Sequence, residues 1–277
     1  MTPGAGLLIP GAANALAARI AQNAGFQAVL LTGAGLANSY LGVPDIGLTT
    51  ATEVAENIAA MREATNIPII ADADTGFGNA LNVRRTVRLF ERAGANALQL
   101  EDQVFPKRCG HFEGKQVIPR NEMVQKIKAA VDARQNGVLI LARTDARAVE
   151  GLGAALARMH AYREAGADLM FVEAPTSVAE LAQIPQQLPG AHLCNMVFGG
   201  KTPLQSREQL ARMGYAAVCY ANAALQAAML AMKNVLEYLH EHGSLEGIEA
   251  GVMPFLERQK MVDHAAYIEL EKRYASA

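Results

Sequence analysis

A chain of 277 residues that is 51% hydrophobic, poor in aromatics and nearly neutral at a net charge of −2 can bury one large core, and α/β barrels commonly run to about 250 residues. Interleaved acidic and basic residues leave no basic stripe for nucleic acid and no polybasic segment for a membrane surface. No apolar run reaches the ~20 residues of a membrane span, and the opening residues lack the charged and apolar regions of a leader. A cytoplasmic protein with a small-molecule partner is expected. Three widely spaced cysteines without a CxxC pair (Cys109, Cys194, Cys219) argue against a disulfide scaffold or a structural zinc site.

In chain order, short apolar runs alternate with amphipathic stretches of helical length. Residues 7–10 lead into a helical stretch over 14–24, and 28–33 lead, after a loop, into 52–65. The runs continue at 67–72, 97–100, 138–142, 169–172, 192–196 and 216–220. Continuous apolar runs suit parallel strands buried on both faces, with helices as crossovers. Gly25, Gly94, Gly166 and Gly214 each stand where a helix must stop just before its strand. Eight such units predict an α/β fold, a (β/α)8 TIM-type barrel forming a single domain over 1–277. Beyond the eighth strand, 221–242 reads as a long alanine-rich helix, and a polar helical extension from about 243 to 277 exceeds what a barrel needs.

Chemistry in this fold sits at the C-terminal ends of the strands. The third run ends Asp72-Ala73-Asp74, whose period-2 spacing puts both carboxylates on one face. The fourth ends Glu101-Asp102, the fifth Arg143-Thr144-Asp145, the sixth Glu173 and the seventh Asn195; the loop after the second run carries Tyr40 and Asp45. Carboxylates gathered in one mouth call for a cation, and an all-oxygen set suits Mg²⁺ or Mn²⁺. Helix capping, or pairing with Arg143 or Lys107, is the plainer alternative for Asp72 and Glu101. Arg143 offers a planar fork for a substrate carboxylate, which Glu173 and Asn195 could orient.

The loop after the fourth run, Lys107-Arg108-Cys109-Gly110-His111, sets a thiol between two cations and a histidine. Such neighbours lower a thiol's pKa from about 8.5, so Cys109 reads as an acid/base or nucleophile with a depressed pKa. An exposed basic turn that happens to hold a cysteine is the alternative. The other five histidines lie in helices or before a strand and read as structural or surface groups.

The strings Asp72-Ala73-Asp74-Thr75-Gly76-Phe77-Gly78, Glu101-Asp102-Gln103, Lys107-Arg108-Cys109-Gly110-His111 and Ala142-Arg143-Thr144-Asp145-Ala146 resemble the isocitrate lyase/phosphoenolpyruvate mutase superfamily, and the cysteine string resembles its lyase branch. That resemblance implies a barrel whose eighth helix is swapped between subunits, a homotetramer built as a dimer of dimers, and a Mg²⁺ site. Asp74 would be the direct ligand, with Asp45, Asp72 and Glu101 holding waters around the ion. It also implies a mobile gate around Cys109 and Gly110, and a keto-acid carboxylate held by the backbone of Thr32, Gly33 and Ala34 and by Arg143. The implied reaction is retro-aldol cleavage of a 2-hydroxy di- or tricarboxylate. Cys109 would protonate the carbon left behind, aided by Lys107, Arg108 and His111, and Tyr40 or Glu173 would take the hydroxyl proton.

After Asn195 the chain reads Met196-Val197-Phe198-Gly199-Gly200-Lys201-Thr202-Pro203, which is more like the dimethylmalate lyase and oxaloacetate hydrolase branch than the methylisocitrate lyases. A substituted malate is therefore expected, with Val197 and Phe198 against its alkyl group, since a buried unpaired carboxylate is costly. The competing readings are an oxaloacetate hydrolase or decarboxylase, a P–C bond enzyme resembling the phosphonomutases, and a non-catalytic metabolite-binding barrel.

Overall fold

The computed structural model describes residues 1–275. Eight parallel strands follow one another: β1 (Leu7–Ala12), β2 (Val29–Leu31), β3 (Ile69–Asp72), β4 (Ala97–Glu101), β5 (Leu139–Thr144), β6 (Leu169–Val172), β7 (Leu193–Asn195) and β8 (Ala217–Tyr220). The hydrogen-bonded order is β6-β5-β4-β3-β2-β1-β8-β7. A parallel bridge between Met170 and His192 spans the remaining gap between β6 and β7. The sheet is thus the nearly closed (β/α)8 barrel expected from the run of apolar segments.

The crossovers are α1 (Ala15–Asn23), the short α2 (Gly33–Leu36), α3 (Ala51–Ala64), α4 (Ala80–Ala93), α5 (Arg120–Ala133), α6 (Ala146–Glu150), α7 (Leu152–Glu164), α8 (Val178–Gln187) and α9 (Arg207–Met213). Local chemistry starts and stops them. Thr50 and Glu53 form a reciprocal capping box at α3, and Gly94 and Gly214 end α4 and α9 in the left-handed conformation.

Strand alternation sorts the side chains into two apolar layers. Ile69, Ala71, Leu98, Leu100, Ile140 and Val172 face the helices. Leu30, Ile70, Ala97, Leu141, Leu169, Phe171 and Leu193 fill the barrel interior. The same inward parity carries on to Thr32, Asp72, Glu101, Arg143, Glu173 and Asn195, so each inward row begins apolar and ends polar at the C-terminal mouth. Gly11 on β1 lies so close to β8 that an added Cβ would collide with the Ala221 carbonyl; only glycine lets the two strands meet there.

The chain divides into two compact units, Met1–Ala223 and the residues from Ala224 onward. The boundary between the two units falls at the start of the long alanine-rich helix that follows β8. The second unit contains α10 (Ala223–His242), α11 (Phe255–Met261) and α12 (His264–Ala275). No residue of α10 is buried, and Met229, Met232, Leu236 and Leu239 are exposed at spacings of three and four, which place them on one helix face. Among the described residues no helix is long and apolar enough to cross a membrane.

Candidate active site

A cavity opens at the C-terminal mouth of the barrel. Thr32, Ala34, Asp45, Asp72, Cys109, Gly110, His111, Arg143, Glu173 and Asn195 line it, over an apolar floor that includes Leu30, Phe171, Leu193 and Cys219. Gln99 and Asn222 join the wall without having been singled out in the sequence. Gln99 was hidden in an apolar run, but its inward parity with Glu101 could have revealed it.

The backbone at this rim is unusual. Asp74 (φ 46°) and Ala174 (φ 54°) are non-glycine residues in the left-handed region, directly beyond β3 and after Glu173. Such outliers cost roughly 1–3 kcal/mol each and cluster at functional sites. Asp72 is tied down by three donors: the Gly33 N–H at 3.2 Å, the Asp74 N–H at 3.2 Å and Gln99 Nε2 at 3.1 Å. The Gly33 amide, expected to hold a substrate carboxylate, is thereby engaged by the protein itself.

Lys107 reaches the acidic cluster instead of Cys109. Its Nζ lies 2.5 Å from Asp45 Oδ1 and 2.9 Å from Asp74 Oδ1. Burial would lower the Lys107 pKa, but Asp74, Glu101, Asp72 and Asp45 hold it well above the ordinary lysine value. Burial lifts Asp74 to about 6 against the pull of Lys107, and burial pushes Glu101 well above the usual carboxylate range despite Arg143. Four carboxylates thus share one ammonium and one edge of Arg143, whose Nη1 is 3.2 Å from Glu101 Oε2.

Glu101 Oε1 is buried without any partner, while Asp74 Oδ1 meets only Lys107 and Glu101 Oε2 only Arg143. These acceptors, all oxygen and in excess of local positive charge, fit a hard dication. Among the described residues no three His, Cys, Asp or Glu side chains form a ready ligand cluster.

Across the cavity, Arg143 forks onto Asp145 through Nε at 2.9 Å and Nη2 at 3.1 Å. Asp145 also accepts from Lys115 Nζ at 2.8 Å, and the same ammonium binds the Gly110 carbonyl. Lys115 therefore ties the cysteine loop to the floor of the site. No sequence signal marked it, since its partner lies thirty residues away. A Cβ on Gly110 would stand 2.6 Å from both Arg143 Nη2 and Glu173 Cγ, so the loop seats fully only with glycine there.

Burial pushes the Cys109 thiol above its ordinary value, reinforced by Asp45 and Glu173 and only partly offset by the His111 N–H and Arg143. The depressed pKa expected from the neighbouring cations is corrected: Lys107 is committed to the carboxylates, and Arg108 is exposed on the outer face of the loop, where Gln103 holds its backbone. Two further expectations change. Tyr40 is 62% exposed and Phe198 is 76% exposed, and neither they nor Val197 line the cavity. The loop geometry after β2 and β7 turns Tyr40 and Phe198 outward and buries Val197 away from the cavity, which a linear string cannot show. Glu173 would be raised by burial, but Arg143 and His111 bring its pKa below the usual value.

The remaining histidines are structural or peripheral. His192 is buried with Nε2 2.6 Å from the Leu188 carbonyl oxygen, and exposed His160 faces Glu164 at 3.4 Å.

The chain matches the phosphoenolpyruvate phosphomutase family over residues 1–240. It is 44% identical to a 2,3-dimethylmalate lyase of Eubacterium barkeri, over 98% of this chain and 94% of that one. It is 45% identical to a chloroplastic carboxyvinyl-carboxyphosphonate phosphorylmutase of Arabidopsis thaliana (98% and 81%), and 42% identical to a 2-methylisocitrate lyase of Aeropyrum pernix (97% and 86%). Among solved structures, a 2,3-dimethylmalate lyase superposes with a TM-score of 0.91 at 36% identity, covering 97% of this chain and 90% of that one. An oxaloacetate acetylhydrolase superposes at 0.93 with 30% identity (100% and 99%). Family match, full-length relatives and a barrel mouth holding carboxylates and a loop-borne thiol agree: this chain belongs to the isocitrate lyase/phosphoenolpyruvate mutase superfamily.

Proposed function

We propose that the protein is a Mg²⁺-dependent carbon–carbon lyase that cleaves a 2-hydroxy dicarboxylate of the substituted-malate type into an α-keto acid and a second carboxylate. The observation that carries this reading is the thiol of Cys109 held by its loop in the same cavity as Arg143 and Glu173, where burial favours its neutral form. A neutral thiol is the form a general acid needs. The lyase relatives named above lend support.

Arg143, with Thr32, Ala34 and Asn195, binds and orients the carboxylates. Glu173 is the lining carboxylate outside the Asp45–Asp72 cluster and accepts the hydroxyl proton, and Tyr40 stands outside the cavity in this conformation. A base of low proton affinity works here only if proton removal and C–C cleavage proceed together. Cys109 then delivers its proton to the carbon that has gained the electron pair. Asp74, with Asp45, Asp72 and Glu101, would hold a Mg²⁺ or Mn²⁺ ion, which supplies Lewis-acid polarisation of the oxygen becoming the carbonyl. The loop over the cavity excludes water that would otherwise compete for the nascent carbanion.

Substrate size follows from charge. Arg143 is the one guanidinium or ammonium among the lining residues, and a third buried carboxylate would lack a partner. A substituted malate therefore fits better than 2-methylisocitrate, its alkyl group lying on the apolar floor around Leu30, Phe171 and Leu193. The exposed face of α10 supports a helix-swapped homo-oligomer, a dimer of dimers in which a neighbouring subunit covers it. Nothing in the chain favours nucleic acid or a membrane as partner, and a cytoplasmic location is consistent with that.

A keto-acid release assay with Mg²⁺ over 2,3-dimethylmalate, citramalate, 2-methylisocitrate, isocitrate and oxaloacetate, with Cys109→Ser as control, tests the reading. Keto acid from one hydroxy acid, lost in the variant, supports the lyase. Silence on the hydroxy acids with oxalate formed from oxaloacetate would instead favour the hydrolase, which the oxaloacetate acetylhydrolase likeness keeps as the second reading.

A further inference from the structure

His111 is held from two sides, and each contact constrains the other. The Lys201 backbone N–H, on the loop after β7, points at His111 Nδ1 at 3.1 Å. A backbone amide can only donate, so Nδ1 must be the unprotonated nitrogen of the ring, and the single proton of a neutral imidazole then sits on Nε2. That nitrogen lies 3.2 Å from Glu173 Oε1, within ion-pair distance but out of hydrogen-bond alignment, and neither atom has another partner. We infer that the loop Gly199-Gly200-Lys201 is a positioning element, whose Lys201 amide fixes His111 as the Nε2–H tautomer and thereby aims a neutral donor at Glu173.

The other tautomer would turn an imidazole lone pair on the Glu173 carboxylate and leave two donors facing each other at Lys201. The fixed tautomer therefore orients Glu173, whose second oxygen, Oε2, faces Arg143 Nε at 3.7 Å. It also seats the cysteine loop, since Gly110 packs against both Glu173 and Arg143.

Gly200 is what permits this approach. Its φ is not in the left-handed region, so an alanine would be conformationally acceptable, yet an added Cβ would stand 2.8 Å from His111 Nδ1 and 2.9 Å from Cε1. The glycine answers a steric demand made by the histidine ring. A second tie joins the same loops, the ion pair between Lys201 Nζ and Glu113. Glu113 is largely exposed, so this pair contributes little, and the backbone bond is the one that matters.

The inference rests on the lyase reading for its catalytic consequence, but the tautomer is measurable without substrate. The experiment is a long-range ¹H–¹⁵N spectrum of the full-length, histidine-labelled protein at neutral pH, with the His111 signals assigned by their loss in His111→Gln. The expected wild-type pattern is that of a neutral Nε2–H imidazole. Lys201→Ala keeps the backbone N–H and should retain it. Gly200→Ala should shift it toward a mixture of tautomers. In the same variant kcat should fall by roughly tenfold to 100-fold, the scale of a small misplacement near a reacting centre, with KM little changed. A wild-type Nδ1–H or imidazolium pattern would overturn the inference, even if Gly200→Ala failed to fold. So would a folded Gly200→Ala protein with both the tautomer and kcat of the wild type. A correct tautomer in a protein that cleaves none of the hydroxy acids would reject the lyase reading and leave the positioning role standing.

Discussion

Lys107 Nζ stands 2.9 Å from Asp74 Oδ1, so a lysine carried by the cysteine loop neutralises the carboxylate at the end of β3. Removing one partner of a buried pair leaves an uncompensated charge, at a cost of about 3–5 kcal/mol. Lys107→Met should therefore lower metal-free stability by about that amount in urea denaturation. Millimolar Mg²⁺ should recover more stability in the variant than in the wild type, because the dication replaces the missing positive charge. An equal response to Mg²⁺ in both proteins would count against a cation site at this cluster.

Asp74→Ala removes the carboxylate expected to contact the metal directly. Turnover that depends on Mg²⁺ should vanish, and the heat of Mg²⁺ binding in titration calorimetry should vanish with it. Turnover at the wild-type rate would defeat the metal assignment.

Cys109 has its thiol pushed up by burial and by the nearby carboxylates of Asp45 and Glu173. A raised thiol pKa means that the protonated form dominates at neutral pH and is lost only as pH rises past the ordinary thiol value of about 8.5. For a general acid, kcat should stay level through neutral pH and decline on the alkaline side. Alkylation by iodoacetamide at neutral pH should be slower than that of a free thiol. Cys109→Ser should reduce cleavage by about 10²–10⁴-fold, the usual worth of a proton-transfer group, with oxalate binding retained. A rate that climbs with pH across the neutral range would identify the thiolate as the working form and remove the acid role.

Asp102 anchors a buried network beneath the site. It accepts from Thr144 Oγ1 at 2.7 Å, the Asp145 N–H at 2.9 Å and Tyr162 OH at 2.8 Å, with Arg158 Nη1 at 3.5 Å. Asp102→Asn keeps the shape but turns an amide donor toward these donors. It should cost about 3 kcal/mol in chemical denaturation and lower kcat as well, since the Asp145 carrying Arg143 and Lys115 hangs from the same carboxylate. A change in stability with unchanged kcat would show that the network is structural alone.

Helix α10 carries Met229, Met232, Leu236 and Leu239 along one exposed face. Met229→Glu with Leu236→Glu should lower the mass seen by light scattering to that of a monomer or dimer, while the barrel keeps its circular dichroism. An unchanged assembly would mean that this face is not the contact.

The barrel itself was legible in the sequence because its physics is local. Parallel strands buried on both faces need continuous apolar runs, helices need stop signals, and period-2 alternation places Asp72, Glu101, Arg143 and Glu173 inward without any knowledge of their neighbours. The carboxylate cluster and the thiol loop were legible for the same reason, through strand ends and a short string. What only tertiary structure decided is where each charge spends itself. Lys107 and Cys109 are two residues apart, yet the lysine goes to Asp45 and Asp74, and the thiol rises in pKa where its sequence neighbours promised a fall. Tyr40 and Phe198 sit in suggestive strings and turn to solvent, whereas Lys115 carried no signal and ties down the cysteine loop, and Gly200 and Lys201, read only as part of a family string, lie against His111. Electrostatics and steric fit act across space over a few ångströms, and chain distance is blind to which groups the fold brings within that range.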